Sequence, residues 1–421
     1  MNIKEVSSEF LSEKYYEIKH SSGLKIFVWP KEGYNSTYGI IGTPFGSVYN
    51  SFTVDGEDVK VPDGIAHYLE HKLFESEEGD AFALYASTGA NANAYTSFDK
   101  TCYLFSCTKD FERCLEILLG FVTSPYFTAE TVAKEQGIIG QEIKMYEDSP
   151  EWRVMFNLLG AMYHNHPVKI DIAGTVETIA EIDADKLYKC YNTYYNLNNM
   201  ALTVVGKVDV DTVLSICDRL LKPVDKVDVT THFPEEPYAV AETYVEQKLP
   251  VKVPLFNFGF KASGDKPQTE AEVAYTDILL FLLASSASEM YRDLMDRGYI
   301  NSTFSYEQFE GPGYFSIVFS GESREPEKCA ELIKEYVEKL KTEGVSDEDF
   351  INAKRATYGD ALSSLNSVST CANLLEDFCF SDRSIFAYFD AIRDAKKEDI
   401  IKRLSELFDV NNSALSVIKE G

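Results

Sequence analysis

Residues 64–75 read GIAHYLEHKLFE, with His67 and His71 four positions apart and Glu70 just before the second. On a helix, side chains at i and i+4 stand one above the other, so both imidazoles can reach a single cation. Glu70 projects about 60° away from His67 around the helix axis. That is near enough to touch a water on the cation without binding the cation itself. Two imidazoles do not hold a catalytic zinc by themselves. A third protein ligand is needed, leaving one position for water, and a carboxylate suits because it lowers the charge of the site. The residues alone leave Glu135, Glu142 and His166 as candidates. Glu135 and Glu142 are seven apart in AETVAKEQGIIGQEIKMYED (129–148) and share a helical face, whereas Glu147 and Asp148 project elsewhere. Such a constellation would activate water for hydrolysis, with Glu70 as proton acceptor.

Two helices must position these groups. The first takes Asp63 as its N-cap after Pro62, with Ile65, Ala66, Leu69 and Leu73 on one side and His67, Glu70, His71 and Phe74 on the other. The second begins after Thr128, a further N-cap candidate. The plain alternative for the first is an exposed acidic helix with idle histidines.

The chain is written twice. NNMALTVV (198–205) returns as NNSALSVI (411–418), 213 residues later, and DKLYKCYNTYY (185–195) aligns with EDIIKRLSELF (398–408) at the same offset. FTAETVAKEQGIIGQEI (127–143) parallels VSDEDFINAKRATYGDA (345–361) at an offset of 218. Duplication predicts a metal-binding domain over 1–220, a proline- and charge-rich connector over 221–240, and a homologous domain over 241–421. Strand candidates come in hairpin-like groups with long helices between them. The predicted class is therefore α+β, each domain a largely antiparallel sheet packed against helices. At the 213 offset, His67, Glu70 and His71 fall on Leu280, Leu283 and Ala284, so the second domain cannot build the same site.

Composition narrows the partners. The 421 residues carry a formal charge of −28, which disfavours nucleic acid and anionic membrane as partners. Solubility is the simplest reading of that charge, with attraction of basic peptides as the sharper one. The opening MNIKEVSSEFLSEKYYEIKH has no apolar core, which predicts no secretory leader, and no uncharged apolar run of about 18 residues occurs. The eight cysteines form no C-x-x-C and fall in apolar segments, as reduced core residues do. These features predict a cytoplasmic protein. No G-x-x-x-x-G-K-[ST] or G-x-G-x-x-G occurs, which disfavours nucleotide chemistry.

H-x-x-E-H is the inverted zincin signature, and the chain resembles the pitrilysin/insulinase family of zinc metallopeptidases. GIAHYLEHKLFE, ANAYTSFDKTCYLFS, PYFTAETVAKEQGIIGQEIKMYEDSPEWR and HPVKIDIAGTVETI carry the resemblance in order and spacing. It is most similar to half-length bacterial members of two domains, which implies a fold of the mitochondrial-processing-peptidase type. The resemblance implies zinc held by His67, His71 and Glu142, with Glu70 as catalytic base and Glu135 supporting the ligands. Asn93, Ala94 and Tyr95 match the strand against which family substrates lie. An Arg and a Tyr that family members often carry in the second half are out of register here. Leu294 or Met295 and Asn301 take their places, with Arg292 and Tyr299 nearby. Half-length members pair with a second chain, so the resemblance implies a homodimer, or a heterodimer with a paralogous subunit that supplies the missing pair. The expected activity is zinc-dependent hydrolysis of unfolded peptides or a specific precursor peptide. The alternative is a non-catalytic or partner-dependent subunit of a peptide-maturation complex.

Overall fold

The computed structural model describes residues 2–77 and 79–421. Two compact units are present. The first is built on a seven-stranded sheet in the order Asn2–Ser8, Glu13–Lys19, Lys25–Pro30, Ala201–Gly206, Thr37–Thr43, Thr101–Cys107, Asn91–Thr96. Neighbours are antiparallel except Ala201–Gly206 with Lys25–Pro30, whose register sets Ala201 beside Lys25. The central strands Thr37–Thr43 and Ala201–Gly206 are buried at every position, while Asn91–Thr96 at the edge is exposed or half-buried. A fully apolar run fits a strand covered on both faces, and an alternating one fits an edge.

The second unit repeats the plan with five strands in the order Tyr244–Leu249, Ser413–Glu420, Leu255–Ala262, Tyr314–Glu322, Ser305–Gly311. Ser413–Glu420 again runs parallel to one neighbour and antiparallel to the other, as Ala201–Gly206 does. The α+β class and the largely antiparallel sheets stand as the sequence predicts. Leu280, Leu283 and Ala284 lie on the helix Glu270–Ala284, buried in the second core with Ile278 and Leu279. The stretch Glu270–Asp296 is long and apolar enough to cross a bilayer by length and composition. Here Ser285 ends its first helix and Ser288 caps a second, Glu289–Asp296, so it is two core helices.

Neither unit is continuous in sequence. The first combines residues up to Ile143 with Asp171–His232 and Ser364–Phe386, and the second combines Lys144–Ile170 with Phe233–Ser363 and Ala387–Gly421. The duplication thus appears as a reciprocal exchange. Helix Pro150–Met162, from the first half, packs on the second sheet, and its counterpart Val368–Phe380 packs on Ala201–Gly206 and Thr37–Thr43 of the first. A cut at 221–240 follows the repeat in sequence, whereas the compact units follow packing.

The exchanged helix carries a buried acid. Glu376 is wholly inaccessible, accepts from the Thr203 hydroxyl, and stands where a Cβ on Gly42 would fall 2.6 Å from its Oε1. Burial raises its pKa to about 8, against the opposing hydrogen bond from Thr203. The folded chain therefore holds this proton between about pH 4.5 and 8, where the unfolded chain has released it. Stability should fall as pH rises through that window and level off above it. Glu376→Gln removes the dependence. Its stability relative to wild type should rise from about pH 5 to pH 8, the gain approaching ~1.4 kcal/mol per pH unit, and level off above. Parallel curves at all pH values would show that Glu376 is ionised in the fold.

Candidate metal centre

The imidazole helix, Ile65–Leu73, lies against the strands Asn91–Thr96 and Thr101–Cys107. Its start differs from the sequence expectation. Gly64, not Asp63, is the N-cap, at φ 89°, and no side chain caps the helix. A Cβ at Gly64 would meet the Ala173 carbonyl oxygen at 2.4 Å, so both the left-handed backbone and the contact demand glycine. Asp63 instead accepts from Asn50 Nδ2 at 2.8 Å, which pins the preceding loop. The second helix, Ala129–Glu147, has the start expected of it, Thr131 N–H donating to Thr128 Oγ1 at 3.2 Å.

Tyr68 ties the two helices together. It is fully buried, and its hydroxyl donates to the Val132 carbonyl at 2.5 Å. Val132, Ile139 and Ile143 are the buried residues of the second helix, and Glu135 and Glu142 share their stripe. Burying that stripe carries both carboxylates to the imidazoles.

The donors converge. One ligand atom each from His67, His71 and Glu142 lie within 4.8 Å of one another. His71 Nε2 is 3.3 Å from Glu142 Oε2, and His67 Nε2 is 3.7 Å from Glu142 Oε1. Tetrahedral zinc with bonds near ~2.05 Å has ligand–ligand edges of about 3.3 Å, so the donor set fits such an ion. His71 donates through Nδ1 to Glu135 Oε1 at 3.0 Å, which orients the ring and leaves Nε2 facing the cluster. His67 is 8% exposed, and its Nδ1 has no partner among the described residues. A helix that buries this much polarity against an acidic cluster is costly without a cation.

Electrostatics divide the imidazoles. Burial, with the charge on His71, lowers the His67 pKa to about 4. Burial also opposes charge on His71, but hydrogen bonds to Glu135 and Glu142 outweigh it and lift its pKa to about 10. The His71 hydrogen bond in turn lowers Glu135. Glu70 is outside the converging set, its Oε2 accepting from Thr96 Oγ1 at 2.7 Å. Burial raises its pKa, partly offset by that hydrogen bond.

The remaining candidates separate. His166 belongs to the second unit, where Nε2 donates to the Pro312 carbonyl at 2.9 Å and Nδ1 accepts from Val168 N–H. It serves the loop and not the cluster. Asn93 is exposed and Ala94 half-buried on the edge strand, which has a neighbour on one side only among the described residues. Tyr95 is half-buried and stands opposite Cys102 on the neighbouring strand. Two residues escaped the sequence reading. Thr96 was hidden because threonine on a strand carries no signal of contact with a helix. Lys72, fully buried and paired with Glu75, was hidden because lysine reads as surface.

Comparison with known proteins followed the same lines. Residues 57–176 match the model of the insulinase family (peptidase family M16), and residues 181–357 match the peptidase M16 inactive domain. The chain is 40% identical over 413 residues to the Bacillus subtilis protein named uncharacterized zinc protease YmfH, covering 96% of each. It is 25% identical over 373 residues to the Helicobacter pylori zinc protease PqqE, covering 85% of this chain and 83% of that one. Among solved structures, an M16-like peptidase assignment from Alicyclobacillus acidocaldarius superposes with a TM-score of 0.93 at 30% identity, over 100% of this chain and 99% of the other.

Proposed function

Because the chain belongs to the insulinase family, peptidase family M16, we propose that it is a zinc-dependent endopeptidase of the inverted zincin type. Its substrates are unfolded peptides or one precursor peptide. The observation that carries this reading is the convergence of His67, His71 and Glu142, with Glu70 beside them and outside the ligand set. His67, His71 and Glu142 would hold the ion, and Glu135 would keep His71 in register. When bound, zinc would acidify a water toward pKa ~7 and polarise the scissile carbonyl. Glu70 takes the proton of the attacking water on its free oxygen and returns it to the departing amine. The backbone of Asn93, Ala94 and Tyr95 receives an extended peptide as an added strand, through main-chain hydrogen bonds that tolerate many sequences.

A second chain completes the enzyme in this proposal, as a homodimer or a heterodimer with a paralogue. Two observations support it. Of the two residues at the position of the family's Arg, Leu294 is wholly buried in the second core and Met295 is exposed, and Asn301 donates to Glu322 Oε2 at 2.7 Å. None of them carries a guanidinium or a phenol, so an Arg and a Tyr would come from the partner and close a chamber. A cytoplasmic location fits the eight unpaired cysteines. The same Leu294 and Asn301 also favour a second reading, a partner-dependent or non-catalytic subunit of a peptide-maturation complex.

Protein purified without chelator should carry about one zinc per chain and cleave members of an unstructured peptide library. A chelator should abolish cleavage and stoichiometric zinc should restore it. Native mass measurement should report an assembly larger than one chain. Metal-free protein that cleaves nothing, alone or with its partner, would leave only the non-catalytic subunit.

A further inference from the structure

Glu70 has one oxygen committed and one open. Oε2 accepts from the Thr96 hydroxyl at 2.7 Å, and Oε1 has no protein partner among the described residues. We infer that Thr96 is a positioning residue for Glu70, whose hydroxyl fixes which carboxylate oxygen meets the reacting water. The inference rests on the peptidase reading and adds to it a residue outside the H-x-x-E-H signature.

The strand neighbour of Thr96 is anchored in turn. Thr96 and Thr101 are directly opposite in adjacent strands, their hydroxyl oxygens 3.3 Å apart. Thr101 is wholly buried and donates to the Phe45 carbonyl at 2.8 Å. Each hydroxyl has one proton to give, and Thr101 spends its own on the Phe45 carbonyl. The Thr96 proton is then left for Glu70 alone. The Phe45 end is also fixed. Ser47 and Val48 N–H groups donate to Ser97 and Phe98 carbonyls at 3.0 Å each, and a Cβ on Gly46 would fall 2.5 Å from the Phe98 carbonyl.

Thr96 also ends the strand that carries Asn93, Ala94 and Tyr95. One strand therefore holds both the edge for the peptide and the hydroxyl that aims the base. A glutamate on a helix has three side-chain torsions to fix, and a single donor on a rigid strand removes most of that freedom. Thr96 makes no contact with His67, His71 or Glu142 among its hydrogen bonds, so its role is separable from metal binding.

The test compares Thr96→Val, which keeps the shape and deletes the hydroxyl, with Thr96→Ser, which keeps the hydroxyl. Thr96→Val should bind zinc as wild type does, leave KM unchanged and lower kcat about 10- to 100-fold, part of the ~10²–10⁴ that a positioned base supplies. Thr96→Ser should recover most of that rate. Zinc-loaded crystals give a readout independent of turnover, with Glu70 in one rotamer in wild type and Thr96→Ser, and turned or spread over several in Thr96→Val. An unmoved Glu70 in Thr96→Val, or Thr96→Ser as impaired as Thr96→Val, would overturn the inference. An inactive wild type with Glu70 held by Thr96 would instead count against the peptidase reading alone.

Discussion

Glu70→Gln should retain zinc at the wild-type level and lose about 10²–10⁴-fold in kcat, the contribution expected of a positioned general base. The amide is nearly isosteric with the carboxylate and still accepts from Thr96 through its oxygen, so the hydrogen bond at 2.7 Å survives. What it lacks is a site for the water's proton. Glu70 is not one of the three groups that converge, so the ligand set is untouched. KM should change little, because in the proposed mode the edge strand and not Glu70 holds the substrate. Metal analysis alongside steady-state kinetics on one cleavable peptide separates the cases. Zinc present with rate gone supports the assignment. Full rate would show that another group moves the proton, and zinc lost would place Glu70 among the ligands.

Glu142→Ala should behave in the opposite way, with metal and rate disappearing together. Dividing a structural-type zinc affinity of ~10–16 kcal/mol among the three protein ligands gives about 3–5 kcal/mol to each, or roughly 10²–10⁴-fold in affinity. Glu142 is also the group that faces both imidazoles, at 3.3 Å and 3.7 Å. Without it the remaining pair should not retain zinc through purification. Glu135→Ala is the graded control. It removes only the partner of His71 Nδ1, and the expected loss is about 10- to 100-fold in affinity. Competition against a calibrated chelator measures both. Equal losses for the two variants would mean that Glu135 also ligates, and an unaltered Glu142→Ala would dismiss the centre.

The chemistry was largely legible in the chain. H-x-x-E-H fixes two imidazoles and a carboxylate on one helix because helical geometry is local, and E-x6-E places two more carboxylates on one face for the same reason. The repeat of NN-x-AL-x-V at a 213-residue spacing predicted two similar sheets, and the matching strand orders realise them. Local rules failed where backbone approach decides. Asp63 looked like a cap by residue type, but the crowded contact with Ala173 takes the helix start to Gly64.

By itself, then, the sequence determined which residues share a helix face, which half carries ligands, and that the plan is doubled. All of these follow from periodicity and repetition within short spans. Only the tertiary structure decided that Pro150–Met162 and Val368–Phe380 change places between the units, and that Thr96 reaches Glu70. Each of those is a contact between segments distant in sequence. Their distance is set by how whole faces pack, through Tyr68 on Val132 and strand upon strand, and no local pattern records it.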